Sequence, residues 1–425
     1  MSDLQIDPLS NDSRVREFFL ARQPILNREQ ALVGYELLYR KAAAGPANVV
    51  DNLAATAAVI EHTAALGLET VIGTAVGFVN VDESVLMSDI VQFFPADRVV
   101  LEILETVTAS PALIARVGEL AQAGYRFALD DVVTHSEHLA PFFPFVKIIK
   151  IDVTGMPAVQ LQALSTQFTN AGKVLLAEKV ETIDEFNACM ALGFSYFQGY
   201  YFARPIILSG KKLASSQLTL VQLLSLLSSD ADNDRIEAMI KQDASIGLTL
   251  LRMVNAAGVG TVKRVDSLAQ ALVILGRRQL QRWLQILLYA QPGKDGLSAS
   301  PLLAMVTTRG KLLELIATRL RPGERTVSDT AFTVGIMSLM DTLFGQSMES
   351  MLEQITLSAD VQEALTSRTG FFGDLLQLAE YIERLDEAGD LVGPILAKLG
   401  IAPEELNEMQ LCAFEWSNQI TALPD

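Results

Sequence analysis

The chain has 425 residues, enough for two or three domains, each with a sizeable core. It carries 33 Lys and Arg against 50 Asp and Glu, a net charge of −17 that argues against general nucleic-acid binding and against anionic membrane surfaces, so any phosphate would have to be bound by a local pocket. The two cysteines, Cys189 and Cys412, form neither a metal-ligand spacing nor a disulfide framework; the polar start MSDLQIDPLSNDSRVREFF lacks a signal-peptide core, and apolar stretches such as LTLVQLLSLL fall far short of the ~20 residues of a membrane span, so a soluble cytoplasmic protein with no membrane contact is expected.

In chain order, the first half shows short apolar segments that each end in a carboxylate, an amide or a lysine. They are GYELLYR (Glu36), VGFVNVD (Asn80), RVVLEILE (Glu102, Glu105), YRFALDD (Asp130, Asp131), FVKIIKID (Lys150, Asp152), VLLAEKVE (Glu178, Glu181) and SYFQGYY (Gln198). Each run has the length of a buried strand, and the stretches between them, such as NLAATAAVIEHTAALG, have helical periodicity. The alternation predicts a parallel α/β sheet, and closing it into a (β/α) barrel brings the C-terminal strand ends to one mouth. One acidic residue at a strand end is ordinarily a helix N-cap or a solvated turn residue. Seven segments ending alike point to a site, with hard oxygen ligands suited to Mg²⁺ or Mn²⁺ and a lysine suited to phosphate.

QPIL (Gln23, Pro24), GYELLYR, FVNVD, LEILE, ALDD, KID (150–152), AEKVET and QGYYFARP occur in the order and spacing of the EAL domain, and residues 18–207 resemble that family of cyclic di-GMP phosphodiesterases and degenerate receptors. The resemblance implies that Glu36, Asn80, Glu102 and Asp130 are ligands of a first metal ion, with Asp131 at a second and Glu181 assisting there. It implies that Lys150 holds the attacking water, Glu178 is the general base, Gln198 helps position the site, and Arg40 and Gln23 contact the dinucleotide's phosphate and base. The reaction implied is in-line hydrolysis of one phosphodiester to the linear pGpG, aided by Mg²⁺ or Mn²⁺.

Three features depart from that pattern. The signature tripeptide is Glu36-Leu37-Leu38, which changes bulk beside the ligand without removing it. After Asp131 the chain runs Val132-Val133-Thr134-His135-Ser136-Glu137-His138 where catalytic members have a glycine-containing loop that orders the second metal and contributes to a dimer interface; Glu105, which braces that loop in the family, is present. Lys179 stands where the family usually has glycine, a cation near enough to compete with metal or to reach a phosphate.

After residue 207 the strand-like runs give way to amphipathic helical segments, among them NDRIEAMIKQ, SLAQALVILGRRQLQRWLQILLYA and SPLLAMVTTRGKLLELIATRL, so residues 1–207 and 208–425 are expected to be an α/β domain and an all-α domain. Lys241-Gln242-Asp243, Leu251 to Asn255 and Ala271 through Gly276 resemble the HDOD domain, a helical relative of the HD phosphohydrolases that serves as a protein-interaction module. The three histidines are His62, His135 and His138, so the helical half cannot build an imidazole metal site; Leu339-Met340-Asp341 stands where the His-Asp doublet would be. His135 and His138 read as solvated, and Arg277, Arg278 and Arg282, with Lys263 and Arg264 nearby, as a salt-bridged surface rather than a nucleic-acid groove.

Three functions stay open at this point. The barrel binds cyclic di-GMP with metal and hydrolyses it weakly or not at all, coupled to a protein partner of the helical half; or it is a competent phosphodiesterase; or the chain is a scaffold that binds no nucleotide. A homodimer is implied by the resemblance alone.

Overall fold

The computed structural model describes residues 18–41, 68–132, 139–203, 215–229, 232–243, 246–247, 265, 267–289, 291–293, 296–298, 300–353, 355 and 357–421. Strands β1 (Phe18–Asn27) and β2 (Leu32–Lys41) are joined by residues 28–31, too few for a crossover, and so form an antiparallel hairpin. Asn27 closes the turn, its Oδ1 accepting the N–H groups of Glu29 and Ala31 at 3.0 and 2.9 Å.

From there strand and helix alternate: α1 (Leu68–Ile72), β3 (Val76–Val81), α2 (Glu83–Met87), β4 (Val99–Ile103), α3 (Pro111–Gln122), β5 (Arg126–Leu129), β6 (Val146–Asp152), α4 (Ala158–Asn170), β7 (Val174–Glu178), α5 (Ile183–Ala191) and β8 (Tyr196–Gln198). The eight strands close into a barrel in chain order; β2 through β8 are parallel neighbours, and β1 is antiparallel to both β2 and β8. The expected parallel barrel is therefore present with one reversed strand, the one whose connection is a tight turn. Helix α3 shows why the intervening segments are helical: Ser110 caps it by accepting the N–H of Leu113, Pro111 opens it, and Leu113, Val117 and Leu120 form one buried stripe.

Side chains alternate across a strand, so residues two apart share the barrel interior. Ile25, Phe78, Val100, Ala128, Ile148 and Leu176 form one buried apolar cluster. Two residues further along β3 to β7 come Asn80, Glu102, Asp130, Lys150 and Glu178. An apolar plug thus underlies a polar layer at the mouth. Gly34 makes room for it, since a Cβ there would meet Phe78 Cε2 and Val76 O at 2.9 Å.

The second half contains α6 (Ser215–Ser228), α7 (Asn233–Ile240), α8 (Leu268–Leu287), a short hairpin of β9 (Gln291–Gly293) and β10 (Gly296–Ser298), α9 (Pro301–Leu320), α10 (Arg325–Met337), α11 (Met340–Phe344), α12 (Met348–Leu352), α13 (Ala359–Ser367), α14 (Gly370–Glu383), α15 (Leu385–Leu399) and α16 (Pro403–Thr421). The chain folds as two compact units, Met1–Phe202 with Glu380–Glu415, and Ala203–Ala379 with Trp416–Asp425. In the second unit, α9 and α10 cross closely enough that a Cβ on Gly335 would meet Gly310 Cα at 2.6 Å, and α8 is broken at Gly276 (φ 66°, ψ 167°). Among the described residues no helix is long and apolar enough to cross a membrane.

Residues 380–415 belong to the first unit for a physical reason. Along β1, strand β8 pairs only with Ile25–Asn27 and does not reach the start of the strand. There the N–H of Leu20 donates to Asn407 Oδ1 (3.3 Å) and its carbonyl accepts from Gln410 Nε2 (2.9 Å), so two amides three residues apart on α16 do the work of a missing strand. Beside them the buried Arg22 guanidinium lies 4.4 Å from the Tyr35 ring centroid and 4.1 Å from that of Phe414, and donates to the Val71 carbonyl. Removing either amide leaves a buried backbone group of Leu20 unpaired. Asn407→Ala and Gln410→Ala should each lower unfolding stability by about 1–3 kcal/mol, whereas Glu408→Ala, exposed on the same helix, should stay within about 0.5 kcal/mol. Urea denaturation of the full chain measures this, and equal effects at all three positions would refute the strand-substitute role.

Candidate active site

The polar layer converges on one atom. Lys150 Nζ, from the end of β6, lies 2.8 Å from Glu102 Oε1 (β4), 2.8 Å from Glu178 Oε1 (β7), 2.9 Å from Asp130 Oδ1 (after β5) and 3.2 Å from Glu36 Oε2 (β2), and Lys150 is fully buried. Glu36 is held from three sides: Asn80 Nδ2 donates to its Oε1 at 2.9 Å, and Gln198 Nε2 donates to its Oε2 at 2.6 Å and to Gln23 Oε1 at 2.7 Å. Register explains the grouping, because Gln23 pairs with Glu36 across β1–β2, Asn80 with Glu102 across β3–β4, and Ile25 with Gln198 across β1–β8.

Loop geometry places the remaining residues. Asp131 follows Asp130 with φ 45°, and Val132, buried, donates its N–H to the Lys150 carbonyl at 3.0 Å. Lys179 follows Glu178 with φ 53° and pairs with Asp152 at 2.6 Å. A left-handed conformation costs a non-glycine residue roughly 1–2 kcal/mol, which accounts for the glycine usual at the Lys179 position. Glu181 is half-buried, its N–H donating to Glu185 Oε2 at 2.8 Å, and the reciprocal bonds of Thr182 and Glu185 cap α5 immediately after it. Gly199 (φ 142°) is required, because a Cβ would meet Val180 O at 2.2 Å and displace the strand end that carries Gln198.

Glu36, Asn80, Glu102, Asp130, Lys150, Glu178, Gln198 and Gln23 are thus brought together. Asp131 and Glu181 lie on the loops at the ends of β5 and β7. Glu105 is exposed in the turn after β4; residues 133–138, which it was expected to brace, lie outside the described residues, as do His62, His135, His138, Lys263, Arg264 and the side chain of Arg40, whose backbone pairs with Phe19. Sequence reasoning missed Asp152 as the partner of Lys179; the shared end of FVKIIKID and VLLAEKVE on neighbouring strands was the available signal. In the helical unit the basic surface is salt-bridged as expected, Arg278 to Asp329 at 2.6 Å and Arg282 to Glu314 and Asp329.

Charge is out of balance at the mouth. Burial and the neighbouring Glu36 push Glu102 well above the usual carboxylate range, and burial raises Asp130. Burial, only partly offset by Lys150, pushes Glu178 up to about 8. Burial would also raise Glu36, but the Lys150 charge and the bonds from Gln198 and Asn80 outweigh it and hold that carboxyl low. Burial would lower Lys150, and the surrounding carboxylates instead drive it well above its ordinary value. One ammonium faces more acid than it can neutralise.

The donor set fits a divalent cation. All the candidate ligands are hard oxygens, and Glu102 Oε2 and Asp131 Oδ1 are buried without a hydrogen-bond partner among the described residues. Among those residues no three acids or imidazoles are drawn into a closed metal cluster, because the Lys150 ammonium stands between the carboxylates.

Fold and site define a (β/α) barrel whose mouth gathers four acidic side chains around one buried lysine. Residues 6–205 match the EAL domain and residues 213–370 the HDOD domain. The chain is 32% identical over 411 residues to the uncharacterized protein YuxH of Bacillus subtilis (95% of this chain, 98% of that protein), and 32% identical over 410 residues to the cyclic di-GMP phosphodiesterase CdgJ of Vibrio cholerae (95% and 93%). Among solved structures, the Bacillus subtilis YkuI protein, with an EAL domain, in complex with cyclic di-GMP and calcium is 21% identical, covers 57% of this chain and 75% of its own, and gives a TM-score of 0.38. This chain belongs to the EAL-domain proteins that also carry an HDOD domain.

The raised carboxyls have a measurable consequence. Glu178 gives up its proton near 4.5 when unfolded and near 8 when folded, so between those values the folded state holds more protons and stability falls as pH rises. Metal-free protein should lose thermal stability between about pH 5 and pH 8, Glu178→Gln should flatten that slope, and Ca²⁺ should raise the melting temperature more at the upper end. A melting temperature independent of pH across the window would remove the charge imbalance.

Proposed function

We propose that this chain binds cyclic di-GMP at the barrel mouth with Mg²⁺ or Mn²⁺ and hydrolyses it weakly to pGpG. The observation that carries this reading is the convergence of Glu36, Glu102, Asp130 and Glu178, from four strands, on one buried lysine, with buried acid oxygens left over. Glu36, Asn80, Glu102 and Asp130 would hold a first divalent cation, and Asp131 and Glu181 flank the place of a second. Such a cation supplies acidification of the attacking water and charge to offset the phosphoryl oxygens.

The chain's own residues do the rest. Glu178 would accept a proton: without metal its carboxyl sits near 8 and is largely protonated at neutral pH, and a cation bound beside it would lower it into the range of a base. Lys150 keeps the like-charged carboxylates from repelling one another, and once they are engaged its ammonium can hold a water. Gln198 and Gln23 fix Glu36 and line the edge where the nucleotide would lie, with Arg40 offering a phosphate contact. The apolar plug from Ile25 to Leu176 bars water from below.

Weak turnover is favoured by Val132, which is packed into the core and tied to β6 directly after Asp131 and so leaves that acid little freedom to adjust. A second reading, full phosphodiesterase competence, is favoured by the likeness to CdgJ, named a cyclic di-GMP phosphodiesterase, over nearly the whole chain. The helical domain after residue 207 goes with a protein partner, and a homodimer and a cytoplasmic location complete the reading.

The test is to incubate the full chain with cyclic di-GMP and Mn²⁺, follow pGpG by chromatography and titrate binding in Ca²⁺. Glu36→Ala should abolish binding, and Glu178→Ala should abolish turnover while leaving binding within a few-fold. Binding without any pGpG would make the chain a receptor, and no binding by the parent protein would refute the proposal.

A further inference from the structure

Four described residues other than glycine hold a left-handed backbone, Gln30, Asp131, Lys179 and Arg368, and two of them flank the candidate site. Asp131 and Lys179 carry opposite charges at the ends of β5 and β7, at positions where glycine would be free of strain. Non-glycine residues persist in such conformations only where the surrounding structure over-determines them, and such residues cluster at functional sites.

Lys179 is also tethered. Its Nζ lies 2.6 Å from Asp152 Oδ2, with the lysine side chain half exposed and that of Asp152 largely covered. Asp152 is paired with Glu178 across β6–β7, which fixes the ion pair at the rim beside the acid that contacts Lys150. The carboxylates of Asp131 and Glu178 both lie within electrostatic reach of the ammonium. Asp131 Oδ1 itself is buried and accepts no hydrogen bond among the described residues, while its carboxylate interacts electrostatically with this tethered cation.

We propose that Lys179, anchored by Asp152, is a built-in cation that takes the place of a second divalent ion beside Asp131, so that the site holds one divalent ion tightly rather than two. A fixed positive charge in electrostatic reach of Asp131 repels a divalent ion there and satisfies part of the field that would attract it. Asp152 supplies what a mobile lysine would lack, a position. The inference rests on the metal-dependent reading above and adds to it a reason for weak turnover that lies in this chain's own residues.

The experiment is a Mn²⁺ titration of the full-length protein followed by electron paramagnetic resonance, without nucleotide and then with cyclic di-GMP. The parent protein should bind one Mn²⁺ tightly. Lys179→Gln should strengthen the second binding event by about tenfold or more, and Lys179→Arg, which keeps the charge, should reproduce the parent isotherm. Lys179→Gly should show the same gain as Lys179→Gln with a higher melting temperature, which separates charge from backbone strain and keeps the test valid if the glutamine variant folds poorly. Adding Asp131→Asn to Lys179→Gln should cancel the gain.

Superimposable isotherms for the parent, Lys179→Gln and Lys179→Gly would overturn the proposal while leaving metal-dependent binding intact. So would a parent protein that already binds two ions equally, or a variant altered in nucleotide affinity alone, which would make Lys179 a phosphate contact. Absence of Mn²⁺ binding in every protein, with and without cyclic di-GMP, would overturn both this proposal and the reading beneath it.

Discussion

Several carboxylates cannot be buried together in the throat of a barrel without a cation, and Lys150 is that cation. Taking charges out of water is expensive, and like charges a few ångströms apart compound the cost. A lysine at the fifth position of β6 sends its ammonium into the centre of the layer, where Glu36, Glu102, Asp130 and Glu178 all reach it. The plug beneath makes this arrangement necessary as well as possible. With Phe78, Val100, Ala128, Ile148 and Leu176 filling the interior one layer down, each acid has the mouth or the lysine as its outlet.

The same alternation ties the site to a distant part of the chain. Arg22 and Gln23 are neighbours on β1 and face opposite sides, Gln23 toward Gln198 and Glu36 within, Arg22 toward Phe414 on α16 without. Strand β8 is short, so the start of β1 would be an open edge if Asn407 and Gln410 did not pair with Leu20. Within this unit the C-terminal segment also reaches β8's extension, where Arg384 lies 5.2 Å from the Tyr200 ring centroid. Residues 380–415, outside both matched domains, are thus part of the barrel's construction.

Much of this was legible in the sequence, and the reason is the short period of a strand. Apolar runs such as RVVLE and VLLAE put the plug residue and the acid two apart, so a reader who sees the acid at the strand end has also located the interior. The reversal of β1 was less visible, because alternating apolar segments do not announce direction; only the brevity of residues 28–31 does. The return of α15 and α16 to the barrel was not legible, since helical periodicity shows which face of PEELNEMQLCAFEWSNQIT is apolar but not what that face covers. The ion pair of Lys179 with Asp152 was half legible: the shared ends of FVKIIKID and VLLAEKVE set the two residues on neighbouring strands, but the left-handed backbone of Lys179 is not written in any side-chain pattern.

Comparing how the two units treat their buried charges isolates the functional one. In the helical unit Arg309 donates to Ser338 at 2.8 Å, Arg282 pairs with Glu314 and Asp329 and stacks 4.3 Å from the Phe332 ring centroid, and Arg278 pairs with Asp329. There each carboxylate is met by at least one guanidinium, Glu314 by Arg282 and Asp329 by Arg278 and Arg282. The barrel mouth differs: Glu178 sits near 8, Glu102 is driven well above its ordinary value, and Asp131 is held in a strained backbone with a buried oxygen that has no hydrogen-bond partner among the described residues. A fold selected for stability alone would have removed one of these acids or added a second central lysine. Retaining the excess keeps a standing demand for positive charge at one place on the surface, the place where the proposed divalent cation would bind.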